Sequence, residues 1–127
     1  MVTSPLVRAV QTAGIIAGQL DVPLEILPGL AARDLGALTG CTGVTFSDWM
    51  KKAGYDTRPA GGESLLDLER RVKAELAIIK ERFSGHRLLI VIHNGLLLIF
   101  DYLFAGIPAE EVIRGNYRAC TLYRYSI

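Results

Sequence analysis

The sequence is short of histidine, cysteine and net charge, and each shortage narrows what the chain can do. Two histidines and two cysteines in 127 residues fall below what a zinc site at these spacings needs. No metal and no cofactor are therefore expected. Cys41 and Cys120 lie far apart and form no C-x-x-C pair, and the N-terminus has no signal-like stretch. They read as reduced thiols, which points to the cytoplasm. Fourteen Lys+Arg against thirteen Asp+Glu leave a formal charge of +1. Bulk electrostatic binding to nucleic acid is thereby disfavoured.

What the chain does have is apolar surface to bury. Half of its residues are hydrophobic and 21% are charged, the mixture of an ordinary globular domain, and residues 1–127 read as one such unit. The stretch 88–106 is long enough to span a bilayer, but His93, Asn94 and Asp101 interrupt it. A buried strand over Leu88 to Ile92 followed by a helix over Leu96 to Phe104 explains the same composition without a membrane.

Local signals order the rest. Met1 and Val2 leave no room for a full strand. Ser4-Pro5 then predicts a helix start, Ser as N-cap and Pro at the first helical position. Leu6, Ala9, Ala13, Ile16 and Leu20 form an apolar stripe, and Pro23 ends that helix. Val22 to Leu30 reads as extended, with a turn at Pro28-Gly29. Residues 31–62 read as irregular, apart from a short helix at Ser47 to Ala53. Ser64-x-x-Asp67 resembles a capping box, and Leu65, Leu68, Val72, Leu76, Ile79 and Phe83 predict the face of a long helix. Gly85 is its expected stop. A short helix is expected from Ile107-Pro108 to near Gly115, and a last strand over residues 119–125. Helices alternating with short buried strands predict an α/β domain with a mostly parallel sheet.

Two residues stand out as chemistry. Arg8 falls in the first turn of a helix, where free N–H groups and a guanidinium fork together suit a phosphate. His93 ends the apolar strand, and ligands of open parallel sheets bind at that end. Spacing alone also allows Arg8 to be a solvated surface residue and His93 to be structural. Arg33-Asp34 reads either as a site pair or as a surface ion pair.

Four blocks in order resemble the histidine phosphatase superfamily, the phosphoglycerate-mutase-like fold. Thr3-Ser4-Pro5-Leu6-Val7-Arg8-Ala9-Val10-Gln11-Thr12-Ala13 is similar to its S-P-L-x-R-A-x-Q-T-A segment. Leu30 to Gly40 is similar to L-x-E-R-x-x-G-x-x-x-G, Gly62-Glu63-Ser64 to G-E-S, and Ile90-Val91-Ile92-His93 to the strand that carries the family's second histidine. The resemblance implies a three-layer sandwich, a mostly parallel sheet flanked by helices. It implies phosphoryl transfer through a phosphohistidine, with Arg8, His93 and Asn94 at the phosphate and His93 as the charge-stabilising histidine.

The same resemblance marks departures. The family's R-H-G motif, which holds the nucleophile and the first clamp arginine, has no counterpart here, so the first strand is expected to be missing and the domain incomplete at its N-terminus. Ala32 occupies the proton-donor position; Asp34, two residues on, is the candidate substitute acid. Asn94 follows His93 where the family more often has Gly. Only residues 41–61 separate Gly40 from Gly62, a short cap that favours phosphomonoesterase ancestry over the mutases. The resulting expectation is a domain that keeps part of a phosphate pocket for a phosphorylated small molecule or phosphate ion and is inactive in isolation. The alternatives are an active phosphatase completed by a missing segment or partner chain, and a non-catalytic interaction module. A homodimer or a complementing segment is expected to cover the missing strand's place.

Overall fold

The computed structural model describes residues 1–108, 111 and 117–126. Strand β1 is Val2–Thr3, β2 is Glu25–Ile26 and β3 is Ile90–Val91. They form a parallel sheet in the order β2-β1-β3, with Val2 opposite Glu25 and Ile90, and Thr3 opposite Ile26 and Val91. The first residues of the chain thus make the middle strand, where the sequence leaves room for little more than a stub. Val2, Thr3 and Ser4 are fully buried, as a central position requires.

Helix α1, Val7–Leu20, lies against β1 and β3. Its buried residues are Ala9, Ala13 and Ala17, small side chains that let the helix approach the sheet closely. The expected stripe is therefore rotated: Leu20 is exposed, and Ala17 takes the inward place. The helix also begins later than expected. Leu6 is the N-cap, and Ser4 instead accepts the Leu6 N–H on its hydroxyl oxygen at 3.3 Å. Asp21, in the left-handed region at φ 50°, closes the helix before Pro23 is reached.

The long helix α3, Leu65–Arg82, follows the sequence reading closely. Ser64 accepts the Asp67 N–H and Asp67 accepts the Ser64 N–H, a complete capping box. Leu65, Leu68, Val72, Leu76 and Ile79 are buried in one cluster with Val2, Leu27, Leu30 and the apolar face of helix α4, Asn94–Phe100. Helix α1 packs on β1 and β3, whereas α3 packs on α4 and on the turn at Pro28–Leu30.

Helix α2 spans Gly43–Lys52, with Thr42 as N-cap, so it starts four residues before the expected Ser47. Between α2 and α3 the chain folds back on the loop before α2. Gly36, at φ +49°, sits where a Cβ would lie 2.2 Å from the Ala60 carbonyl oxygen. Only glycine permits that approach and that backbone angle.

Three expectations fail toward the C-terminus. The strand over Leu88 to Ile92 shrinks to two residues, and those are half-buried because no described strand pairs with their outer side. The helix after it starts at Asn94 and runs on as a π-helical turn over Asp101–Ala105. Residues 119–125 form no strand. Cys120 adopts φ +55°, which breaks an extended run, and the tail is tied to the helix instead. Tyr125 donates its hydroxyl to Asp101 at 2.6 Å and packs edge-on against Phe100; Tyr117 donates to the other Asp101 oxygen. Burial and the Asp101 carboxylate together push both tyrosine hydroxyls well above the ordinary phenol range. Most of the helix expected between Ile107 and Gly115 lies outside the described residues.

Candidate phosphate site

The sheet brings Arg8 and His93 together from opposite ends of the sequence. Arg8 stands in the first turn of α1, and His93 follows β3 and is the N-cap of α4. Because β1 and β3 are parallel neighbours, both helices begin at the same edge of the sheet. The Arg8 Nη2 lies 3.2 Å from His93 Nδ1, and His93 Nε2 lies 2.7 Å from the Ser4 hydroxyl oxygen. Burial, and then the Arg8 charge, hold the imidazole below its ordinary pKa, so the neutral ring is favoured. Arg8 is exposed and His93 half-buried, so the guanidinium and one ring edge are open to a ligand from solvent.

Asn94 is exposed beside them, at the start of α4. Asp34 takes no part in the Arg8–His93 contact. It is exposed, and its carboxylate accepts the Gly36 N–H at 2.9 Å within its own turn. Arg33 and Asp34 do not pair with each other. Arg33 donates from Nε to the Glu63 carbonyl at 2.8 Å and lies over the Trp49 ring at 5.4 Å. Among the described residues no cluster of His, Cys, Asp and Glu could hold a metal. No described helix is long and apolar enough to cross a membrane.

Two residues absent from the sequence-level candidates organise this region. Ser4 reads as a helix cap in sequence and turns out to be buried against His93, 89 residues away in the chain. Arg71 reads as one more polar position on α3. In the structure it grips Glu63 with both arms, Nε to Oε1 at 2.9 Å and Nη2 to Oε2 at 2.8 Å. Its Nη1 also donates to the carbonyls of Gly29 and Ala31, at 2.8 and 3.0 Å. Glu63 Oε2 in turn accepts the Asp34 N–H at 3.0 Å. One arginine thus fixes the loop 29–34, whose Arg33 Cβ lies 3.8 Å from the place of a Cβ on Gly95, just after His93.

Comparison with known proteins identifies the fold and the family. The chain is 32% identical over 122 residues to a 2,3-bisphosphoglycerate-dependent phosphoglycerate mutase of a Methylobacterium species, an alignment covering 87% of this chain and 59% of the mutase. In fold it resembles Bacillus stearothermophilus YhfR, with a TM-score of 0.75 at 24% identity over 98% of this chain and 62% of that one. It also resembles a mycobacterial glucosyl-3-phosphoglycerate phosphatase solved with inorganic phosphate, with a TM-score of 0.72 at 22% identity over 90% of this chain and 62% of the other. The chain spans 58–61% of the length of the curated mutases it matches. Residues 1–127 match the histidine phosphatase superfamily (branch 1) throughout, and the chain belongs to that family.

Proposed function

We propose that Arg8 and His93 hold an oxyanion, either the phosphoryl group of a small molecule or phosphate itself, and that the 127-residue chain binds without turning over. The observation that carries the reading is the contact between the Arg8 guanidinium and the His93 imidazole at the start of two neighbouring helices. A donor fork and a ring nitrogen that can take up a proton, both open to solvent, suit tetrahedral oxygens. Asn94 stands close enough in sequence to add a side-chain donor. The superfamily's phosphate chemistry supports the same assignment.

Titration with inorganic phosphate, followed by the amide signals of residues 4–10 and 92–96, tests it. Saturable shifts confined to those residues are expected, with Arg8→Ala weakening the affinity at least about tenfold, the loss of one charge-assisted contact. Shifts that survive Arg8→Ala unchanged would place the anion elsewhere.

A second reading concerns assembly, and the free side of β3 favours it. In a three-strand sheet ending at β3, the outward backbone groups of that strand have no described strand to pair with. An unpaired edge is a template for another strand. We infer that a complementing segment or a second copy of this chain pairs there. Sedimentation at micromolar concentration is expected to show a dimer or larger species. A monodisperse monomer that unfolds cooperatively would refute self-association and leave only complementation by a separate segment.

A further inference from the structure

The contacts of His93 can be resolved into a single protonation form. A guanidinium has only donors, so the ring nitrogen facing Arg8 at 3.2 Å must present a lone pair. A neutral imidazole has one such nitrogen and one N–H. Nδ1 is therefore the acceptor, and Nε2 carries the hydrogen. That N–H points at the Ser4 hydroxyl oxygen, 2.7 Å away. Ser4 is completely buried, and the Leu6 N–H also approaches its oxygen, at 3.3 Å, so the oxygen is held by backbone on one side and ring on the other.

We propose that Ser4 is a positioning residue for His93: its hydroxyl anchors Nε2 and so holds the ring with Nδ1 facing Arg8, whose donors select the Nε2–H form, so that an anion entering between Arg8 and His93 must bring a proton onto Nδ1. The proposal rests on the reading of Arg8 and His93 as an oxyanion site. Its logic is one of donors and acceptors. A lone pair facing a phosphate or sulfate oxygen repels it, whereas an N–H donates to it. The free site satisfies Arg8 with the Nδ1 lone pair; the occupied site turns the guanidinium to the anion and needs the same nitrogen as a donor. The proton comes from solvent and leaves again with the anion, so nothing else is consumed.

The other charged groups near the ring do not compete for this role. Arg8 on α1 is the charged side chain in contact with it. On the loop beside Gly95, the Arg33 guanidinium is turned to Glu63, Met50 and Thr57, and the Asp34 carboxylate is bound to the Gly36 N–H. Asn94, from α4 itself, carries no charge. Burial and Arg8 keep the free ring from charging at neutral pH. Anion capture therefore strengthens as pH falls toward the imidazole range, and weakens as it rises.

Sulfate is the probe, because it does not titrate in this range. With histidine nitrogens isotopically labelled, His86 serves as the internal control; it is exposed and makes its own contact with the Ser84 carbonyl at 3.0 Å. In the free chain the His93 signals are expected to report Nε2–H, and on sulfate addition both ring nitrogens are expected to carry hydrogen. Calorimetry in two buffers of different ionisation enthalpy is expected to show close to one proton taken up per sulfate. Affinity is expected to fall about tenfold per pH unit above the free-ring pKa. Ser4→Ala is expected to release the ring from its orientation toward Arg8 and so mix its two neutral forms, and Ser4→Thr, which keeps the hydroxyl, to restore the Nε2–H form.

A wild-type ring found as Nδ1–H overturns the proposal whether or not the variants fold. Sulfate binding without proton uptake overturns the coupling and leaves the oxyanion site intact. No sulfate binding at any pH overturns the oxyanion reading and the coupling with it.

Discussion

Arg71→Ala is expected to destabilise the chain by about 2–3 kcal/mol, far more than any other arginine on the same helix. The substitution removes both arms of a bidentate pair with Glu63 and strips two carbonyls, those of Gly29 and Ala31, of their donor. Glu63 would then keep its charge in a half-buried position with only the Asp34 N–H to hold it. Breaking a fully buried pair costs more; here both side chains remain about a quarter exposed, 26% and 24%, so water recovers part of the loss. Arg71→Lys should recover little, because an ammonium cannot reproduce the planar fork. Arg70→Ala, one position along and exposed, is the control and should stay within about 0.5 kcal/mol. Urea unfolding of the three variants reads the differences, and equal midpoints for Arg70→Ala and Arg71→Ala would refute the role assigned to the Arg71 network.

The same pair gives the fold an acid-sensitive joint. Burial works to raise the Glu63 pKa, but the Arg71 hydrogen bonds, the Asp34 N–H and the Arg71 charge outweigh it, and the carboxyl is held below the usual range. A carboxyl whose folded pKa is depressed stabilises the fold above its unfolded value, near 4.5, and loses that contribution as pH falls through the folded value. Wild-type stability should therefore decline below about pH 4.5, and Arg71→Ala should flatten that part of the curve.

Local physics made some of this legible in the sequence and hid the rest. Helix α3 could be read because its cap and its apolar spacing are both local: Ser64 and Asp67 bond each other, and the stripe from Leu65 to Ile79 repeats with the helix. The fold class followed from strands and helices alternating. The C-terminal segment misled because β-branched and aromatic residues suit a strand only where an edge and a straight backbone are available. Here Tyr117 and Tyr125 find Asp101, and Cys120 turns the chain. The site was half legible. Arg8 and His93 are conspicuous for where they stand along the chain. Ser4 and Arg71 act through partners 89 and 42 residues away in sequence, contacts that no local pattern encodes.

No phosphohistidine and no phosphatase turnover above background are expected from the 127-residue polypeptide, a deficit of several orders of magnitude against an enzyme with an intact nucleophile. The polypeptide has two imidazoles. His86 is exposed in the turn before β3, bound to the Ser84 carbonyl, on the far side of the strand from the helix starts where Arg8 stands. His93 is in the right place but engaged at both nitrogens, Nε2 with Ser4 and Nδ1 with Arg8. Attack on phosphorus requires a free lone pair on one of them, and holding the anion requires an N–H at Nδ1, so one nitrogen cannot do both. The resemblance puts Ala32, which has no proton to give, at the family's proton-donor position. Asp34 is occupied within its own turn. Incubation with an aryl phosphate, and acid-quenched trapping with a labelled phosphoryl donor, reads the outcome directly. Turnover that vanishes on His93→Ala would show that His93 frees Nδ1 during the reaction. The division of labour drawn above, with Arg8 and His93 binding and nothing attacking, would then give way to a single-histidine mechanism.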